Sequence, residues 1–255
     1  GRRLYRADRS LGCDAGGGMS GVLRKSVPWW AKLGLKLLIS SLPVSHAAWL
    51  RLGILRHGEM DDPAWALGIF KSHYDRWQAR RARKQGFVML ELGPGDGLLS
   101  GAVARAFGAG TSYLVDVRAD ASRRVEPFQR LAAYLTAQGY AVQKLPADAD
   151  FESVLDIYGI RYLTGGLASL RDLPDASVDF CWSNAVLEHV RRTEMPAILA
   201  ELRRVLKPDG VGSHVIDLRD HLGDSLNNLR FSERFWEAEW VARAGFYTNR
   251  LQASD

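Results

Sequence analysis

The chain has 255 residues and only two cysteines, Cys13 and Cys181. They lie far apart and lack metal-ligand spacing, so neither a disulfide framework nor a zinc site is expected, and a reducing cytoplasm is the default compartment. Long apolar runs are missing too. The longest charge-free stretch, Leu37 to Leu50, holds fourteen residues and is broken by Pro43, too short to span a bilayer. Lys32 and Lys36 interrupt the apolar pattern around it, which argues against a cleaved signal peptide. No internal repeat or low-complexity block is present. Acidic residues are scarce at the front: residues 1–60 hold ten Lys/Arg against three Asp/Glu, and the remainder holds 24 against 26. The net charge of +5 therefore belongs to the N-terminal segment, and residues 61–255 lack the broad basic face of a nucleic-acid binder. Arg80-Arg81-Ala82-Arg83-Lys84 is a local exception that reads as a solvated helix end.

The rest of the composition describes a globular protein able to bury a core: 47% hydrophobic and 25% charged residues. Residues 1–18 begin without methionine, show no periodicity, and read as a disordered tail or a stretch outside the natural start. Residues 19–84 read as a basic amphipathic helical extension. Within it Trp29 and Trp30 stand beside Lys32 and Lys36. That pattern suits either a helical cap packed on the main domain or peripheral membrane contact through residues 27–56. From 62 to 84 a helix is expected, with Asp61 or Asp62 as cap, Pro63 in the first turn and an apolar stripe at Ile69, Phe70, His73, Tyr74 and Trp77.

Beyond Gly86 strands and helices alternate. Strands are expected at 87–92, 112–117, 160–164, 178–183 and 211–217. Helices are expected near 97–107, 124–138, 149–158, 194–206 and 232–243. The alternation predicts an α/β fold, a Rossmann-like doubly wound and mostly parallel sheet spanning 85–255 behind the helical extension.

The densest signal is "ELGPGDG" at 91–97, which follows the apolar run Phe87 to Leu90. Gly93, Gly95 and Gly97 let a ligand approach the backbone, and the helix beginning near Leu98 offers unpaired N–H groups. A second apolar strand ends in "LVDVR", where Asp116, followed by Val117, can accept hydrogen bonds from both hydroxyls of a ribose. Ribose alone does not separate dinucleotides from S-adenosylmethionine. The glycine spacing is G-x-G-x-G, whereas a nicotinamide fingerprint is G-x-G-x-x-G. Glu91 and Asp96 would repel a pyrophosphate and tolerate a ligand carrying ammonium and sulfonium charges.

These residues resemble the first motif, E/D-x-G-x-G-x-G, of the class I S-adenosylmethionine-dependent methyltransferases. "LPDASVDFCWSNAVLEHV" (173–190) is similar to that family's turn, fourth strand and following helix. "ELRRVLKPDG" (201–210) is similar to the helix and turn that feed its fifth strand, "VGSHVID". The likeness covers about 86–217 and points to methyltransferases of small molecules. It implies S-adenosyl-L-methionine as cofactor, held by Glu91, Gly93, Gly95, Asp96, Gly97, Asp116, Val117, Leu167, Ala168 and Asn184. Two departures stand out. The family's adenine-reading acid has no counterpart matched by Asp172 in "TGGLASLRDLP", which leaves backbone groups near Leu167–Ser169 for that task. The Asn/Asp-Pro-Pro-aromatic motif of enzymes methylating bases and glutamine amides is absent, since the fourth strand ends in Ser183-Asn184-Ala185.

Methyl transfer needs alignment and exclusion of water more than bond-breaking help. A hydroxyl acceptor gains from a general base, and His189, just past the fourth strand, is the candidate. Asp217, Asp220, His221, Asn227 and Asn228 are candidates for binding a polar acceptor, the alternative being a solvated loop with a capped turn. No metal is expected. The whole reads as a methyltransferase acting on a small molecule, at oxygen. The alternatives are a noncatalytic cofactor-binding or membrane-peripheral scaffold protein and a nicotinamide-dependent oxidoreductase. After Asp217 only 38 residues remain, with one helix capped by Ser232 and stopped by Gly245. The sheet is therefore expected to have about five parallel strands with the fifth as an edge, the C-terminal strands missing and the chain a fragment.

Overall fold

A computed structural model describes residues 28–31, 33–34, 59–80, 85–220, 225–242 and 246–251. They fall into two compact units, a larger one within 43–218 and 248–255 and a smaller one within 1–42 and 219–247.

The larger unit is built on five strands: β1 (Phe87–Leu92), β2 (Ala109–Val115), β3 (Ile160–Leu163), β4 (Val178–Asn184) and β5 (Leu206–Val215). All neighbouring pairs are parallel, in the order β3-β2-β1-β4-β5. The central strands β1 and β4 are buried along nearly their whole length, as their continuous apolar runs require when helices cover both faces. The order reverses between β1 and β4, which opens a crevice at the carboxyl ends of the strands.

Among the described residues six α-helices belong to this unit: α1 (Pro63–Gln78), α2 (Leu99–Ala106), α3 (Glu126–Ala137), α4 (Phe151–Tyr158), α5 (Leu167–Arg171) and α6 (Met195–Val205). Asp62 caps α1, its Oδ1 accepting from Ala64 N at 2.7 Å and Trp65 N at 2.9 Å, and Pro63 fits the first turn. Ala66, Phe70, His73, Tyr74 and Trp77 form the buried face of α1. Trp77 stacks on Phe180 of β4, centroids 5.2 Å apart and planes 8° off parallel. Thus α1 supplies part of the sheet's own core. On the other face Leu170, Leu202 and Val205 pack with Leu90, Val178 and Cys181.

Several boundaries differ from the sequence reading. β2 starts at Ala109 and stops at Val115, so Asp116 lies one residue past the strand. β5 runs Leu206–Val215, whereas 211–217 is the span predicted. Lys207-Pro208-Asp209-Gly210, expected as a turn, forms an irregularity inside β5: Val178 pairs with Leu206, and Phe180 already with Val211. The cause is Asp179, a carboxylate buried between them. It takes Lys207 Nζ at 2.8 Å and Val88 N at 2.9 Å, which draws the extra residues out of register.

In the smaller unit Ser232 Oγ accepts from Phe235 N at 3.3 Å. The single helix expected over 232–243 is instead two short ones, α7 (Glu233–Trp236) and α8 (Glu239–Ala242). The turn between them lets Trp236 and Val241 enter one small core with Leu33, Phe246 and Tyr247. Gly245 as a stop, and residues 81–84, lie outside the described residues. Among those described, no helix is long and apolar enough to cross a membrane.

Candidate cofactor and acceptor site

β1 delivers its last residues into a turn made by glycine. Gly93 and Gly95 have φ of +66° and +67°, a region that side-chain-bearing residues rarely adopt. Space enforces the same choice: a Cβ on Gly93 would stand 2.6 Å from Val186 Cγ2. Gly93 N donates to Val115 O at 2.8 Å, tying the turn to the end of β2. One residue further, Asp116 faces the loop, its Oδ2 accepting from Gly95 N at 3.2 Å and its Oδ1 from Val117 N at 2.7 Å. Asp96 O accepts from Ser122 N at 2.9 Å, which holds the far side of the turn.

Electrostatics set this corner apart. Glu91 on β1 is buried and accepts a hydrogen bond from Ser100 Oγ. Burial pushes its carboxyl up to about 8; the Ser100 hydrogen bond opposes the rise, and the neighbouring Asp116 charge adds to it. Burial raises Asp116 as well, against three backbone N–H groups that favour its ionised form. Two desolvated carboxyls beside the glycine turn are a poor place for an anion. They favour a cation, whose charge would restore both to their ionised forms.

Past β3, Gly166 N donates to Asp116 O at 2.8 Å. This brings the start of α5, with Leu167 half-buried and Ala168 exposed, next to the second acid of the site. Val117 is 72% exposed. Asp172 is the C-cap of α5. Asn184 is the last residue of β4, and Ala185 turns the chain with φ of +55°.

The turn after β4 holds His189 and a residue that sequence reasoning passed over. Leu187–His189 is a single 3₁₀ turn, and it leaves His189 exposed and Glu188 buried. Glu188 Oε1 accepts from Asp217 N at 3.1 Å, tying the turn to the chain after β5. Burial raises the Glu188 carboxyl. Asn249 braces the turn: its Nδ2 donates to Leu187 O at 2.7 Å and Val190 O at 2.9 Å, and its N to Glu188 O at 2.7 Å. His73 of α1 is buried and His214 of β5 half-buried, each against a serine. Nδ1 of His73 lies 2.8 Å from Ser213 Oγ, and Nδ1 of His214 lies 2.8 Å from Ser183 Oγ. Burial pulls His73 down to about 4, so its imidazole is neutral.

Asp217 is half-buried in the larger unit. In the smaller unit Asp220 is fully buried and accepts from Asn227 N, with its own N donating to Ser225 O at 2.7 Å. Asn227 and Asn228 are buried there too. His221 lies outside the described residues.

Residues 90–213 match the family described as "Methyltransferase domain". No curated protein sequence matches the chain. Among solved structures, one described as a DhpI–SAM–HEP complex is 19% identical, covers 78% of this chain and 73% of its own, and has a TM-score of 0.39. A putative S-adenosyl-L-methionine-dependent methyltransferase from Methanococcus maripaludis is 16% identical over 70% of this chain and 68% of its own, with a TM-score of 0.38. A complex between the Haloferax volcanii Trm112 methyltransferase activator and a putative methyltransferase gives 22% identity, 75% and 70% coverage and a TM-score of 0.37. With the family match, the parallel sheet and the glycine loop together, residues 90–213 form a methyltransferase domain, S-adenosylmethionine-dependent and of class I. Its cofactor is S-adenosyl-L-methionine, which sets the nicotinamide alternative aside.

Proposed function

We propose that this enzyme transfers the methyl group of S-adenosyl-L-methionine to an oxygen of a small molecule or biosynthetic intermediate, in the cytoplasm. The observation that carries the cofactor half is the pair of desolvated acids, Glu91 and Asp116, flanking the bare turn Gly93–Gly97. In this reading Asp116 takes the ribose hydroxyls, Glu91 and Asp96 face the positively charged end, and Gly93, Gly95 and Gly97 give the backbone room. Val117, Leu167 and Ala168 line the base, and Asn184 stands where the methyl group is passed on. When bound, the cofactor would supply an activated methyl on a sulfonium, suited to in-line displacement. The chain's own work is alignment and exclusion of water.

For a hydroxyl acceptor the proton has to leave, and His189, one turn past β4, is the candidate base. Asp217 is the acceptor-binding candidate of the larger unit, and Asp220, His221, Asn227 and Asn228 are those of the smaller one. Peripheral membrane contact through 27–56 is a further element of the proposal, motivated by Trp29, Trp30, Lys32 and Lys36. The test is titration calorimetry of Asp116→Ala with S-adenosylmethionine. Loss of two charge-assisted bonds predicts affinity at least roughly tenfold weaker, and unchanged affinity removes the ribose role. A screen of labelled methyl transfer onto small-molecule fractions identifies the acceptor. Label appearing only in protein or RNA would overturn the small-molecule reading.

A further inference from the structure

The bare faces of the glycine loop are covered in this fold, and what covers them is a methionine. Ahead of α1 a 3₁₀ turn, Glu59–Asp61, lays Met60 across the loop. The thioether Sδ accepts a hydrogen bond from Asp96 N at 3.3 Å. A Cβ built on Gly95 would lie 2.7 Å from that sulfur and 2.8 Å from the terminal methyl, and one on Gly97 would lie 3.0 Å from Met60 O. The strap thus occupies the two glycine faces whose bareness the cofactor reading requires.

The strap is fixed on the C-terminal side of Met60. Asp61 Oδ2 pairs with Arg124 at 3.2 Å, and Asp61 O accepts from Arg130 Nη2 at 3.2 Å. Asp62 then caps α1, whose aromatic face is part of the sheet's core. Release at Asp61 therefore frees Met60 without disturbing the helix behind it. The contact that Met60 makes is a weak one, since a neutral thioether is a poor acceptor. Its unbranched side chain also has several rotamers in which to withdraw.

We infer that Glu59–Asp61 is a displaceable gate, with Met60 seated as a plug in the cofactor loop and the Asp61–Arg124 pair as its latch. The plug and the cofactor compete for the faces of Gly95 and Gly97, so the seated strap lowers apparent affinity in proportion to its population. The inference rests on the proposal that this loop holds the cofactor, and the experiment separates the two.

S-adenosylhomocysteine is titrated calorimetrically into the full chain and into Met60→Ala, Met60→Leu, Asp61→Ala and Asp116→Ala, each checked for an unchanged thermal melt. Met60→Ala and Asp61→Ala are expected to bind roughly threefold tighter or better, the factor by which a strap seated in two-thirds of molecules weakens apparent binding. Met60→Leu, which keeps the bulk, stays close to the unmodified chain. Asp116→Ala weakens binding. Equal or weaker binding by Met60→Ala, alongside weaker binding by Asp116→Ala, overturns the gate and leaves the loop assignment standing. Unchanged binding by Asp116→Ala overturns the loop assignment and the gate with it.

Discussion

Replacing Glu91 by glutamine isolates the cost of a buried acid at the end of β1. The carboxyl is moved by burial from 4.5 to about 8, while in the unfolded chain it ionises near 4.5. Below that pH both states are protonated and the group costs nothing. As pH rises, the unfolded chain loses its proton first and gains relative stability, until the folded carboxyl also ionises around pH 8. A raised folded pKa therefore gives stability that is complete below about 4.5 and is lost as pH climbs to about 8. At about 1.4 kcal/mol per pH unit, the loss reaches up to about 3 kcal/mol at pH 7. Glutamine keeps the shape and an acceptor for the Ser100 hydroxyl but does not titrate.

Urea unfolding of both proteins at several values between pH 5 and pH 8 gives the contrast directly. The ligand-free variant should gain on the parent steadily across that window, corresponding to roughly 6–12 °C in Tm at pH 7. A difference that stays flat with pH means that Glu91 ionises at an ordinary value, and the electrostatic reading of the site fails. The same carboxyl should release close to one proton when the positively charged cofactor binds at pH 7. Calorimetry in two buffers of different ionisation enthalpy measures it, and Glu91→Gln should abolish the release while weakening the binding.

Gly93→Ala puts a side chain at φ of +66° and a Cβ 2.6 Å from Val186 Cγ2. Strain and clash together should cost roughly 1–3 kcal/mol in urea unfolding, and a neutral result would mean the turn is free to shift. Asp179→Ala strips Val88 N and Lys207 Nζ of their shared partner at once. The buried N–H left behind should cost roughly 1–3 kcal/mol, and a change within about 0.5 kcal/mol would refute that role for the bulge in β5.

Much of the fold is readable along the chain because its causes are local. A continuous apolar run between Gly86 and Gly93 marks β1, and β4 shows as a mostly apolar run after the Pro174-Asp175 turn, since strands covered on both faces have little polar side to show. Asp62 and Pro63 announce α1, and the stripe ending at Trp77 states which face is buried. The glycine loop and Asp116 are legible for the same reason. Each needs one residue type at one place, and the chemistry is written in neighbouring positions.

The unread parts depend on what crosses from one element to another. Asp179 looks like an ordinary solvated charge in "SVDFC", and only the approach of Lys207 and Val88 makes it an organiser of β5. The predicted helix over 232–243 has unbroken helical periodicity, and it divides because the small core needs Trp236 and Val241 together. Met60 carries no signal at all, being a lone methionine thirty-five residues before the glycine it covers. The pair Glu188 and His189 shows how fine the limit is. Residue type favours histidine, whose proton moves near neutral pH. Yet which of the two faces inward is decided by a single 3₁₀ turn and by Ala185 in the left-handed region, where no glycine gives warning. Chemistry that needs a charged group out of water at this turn falls to Glu188, held by Asp217 N and braced by Asn249, whereas a proton handed to solvent falls to His189.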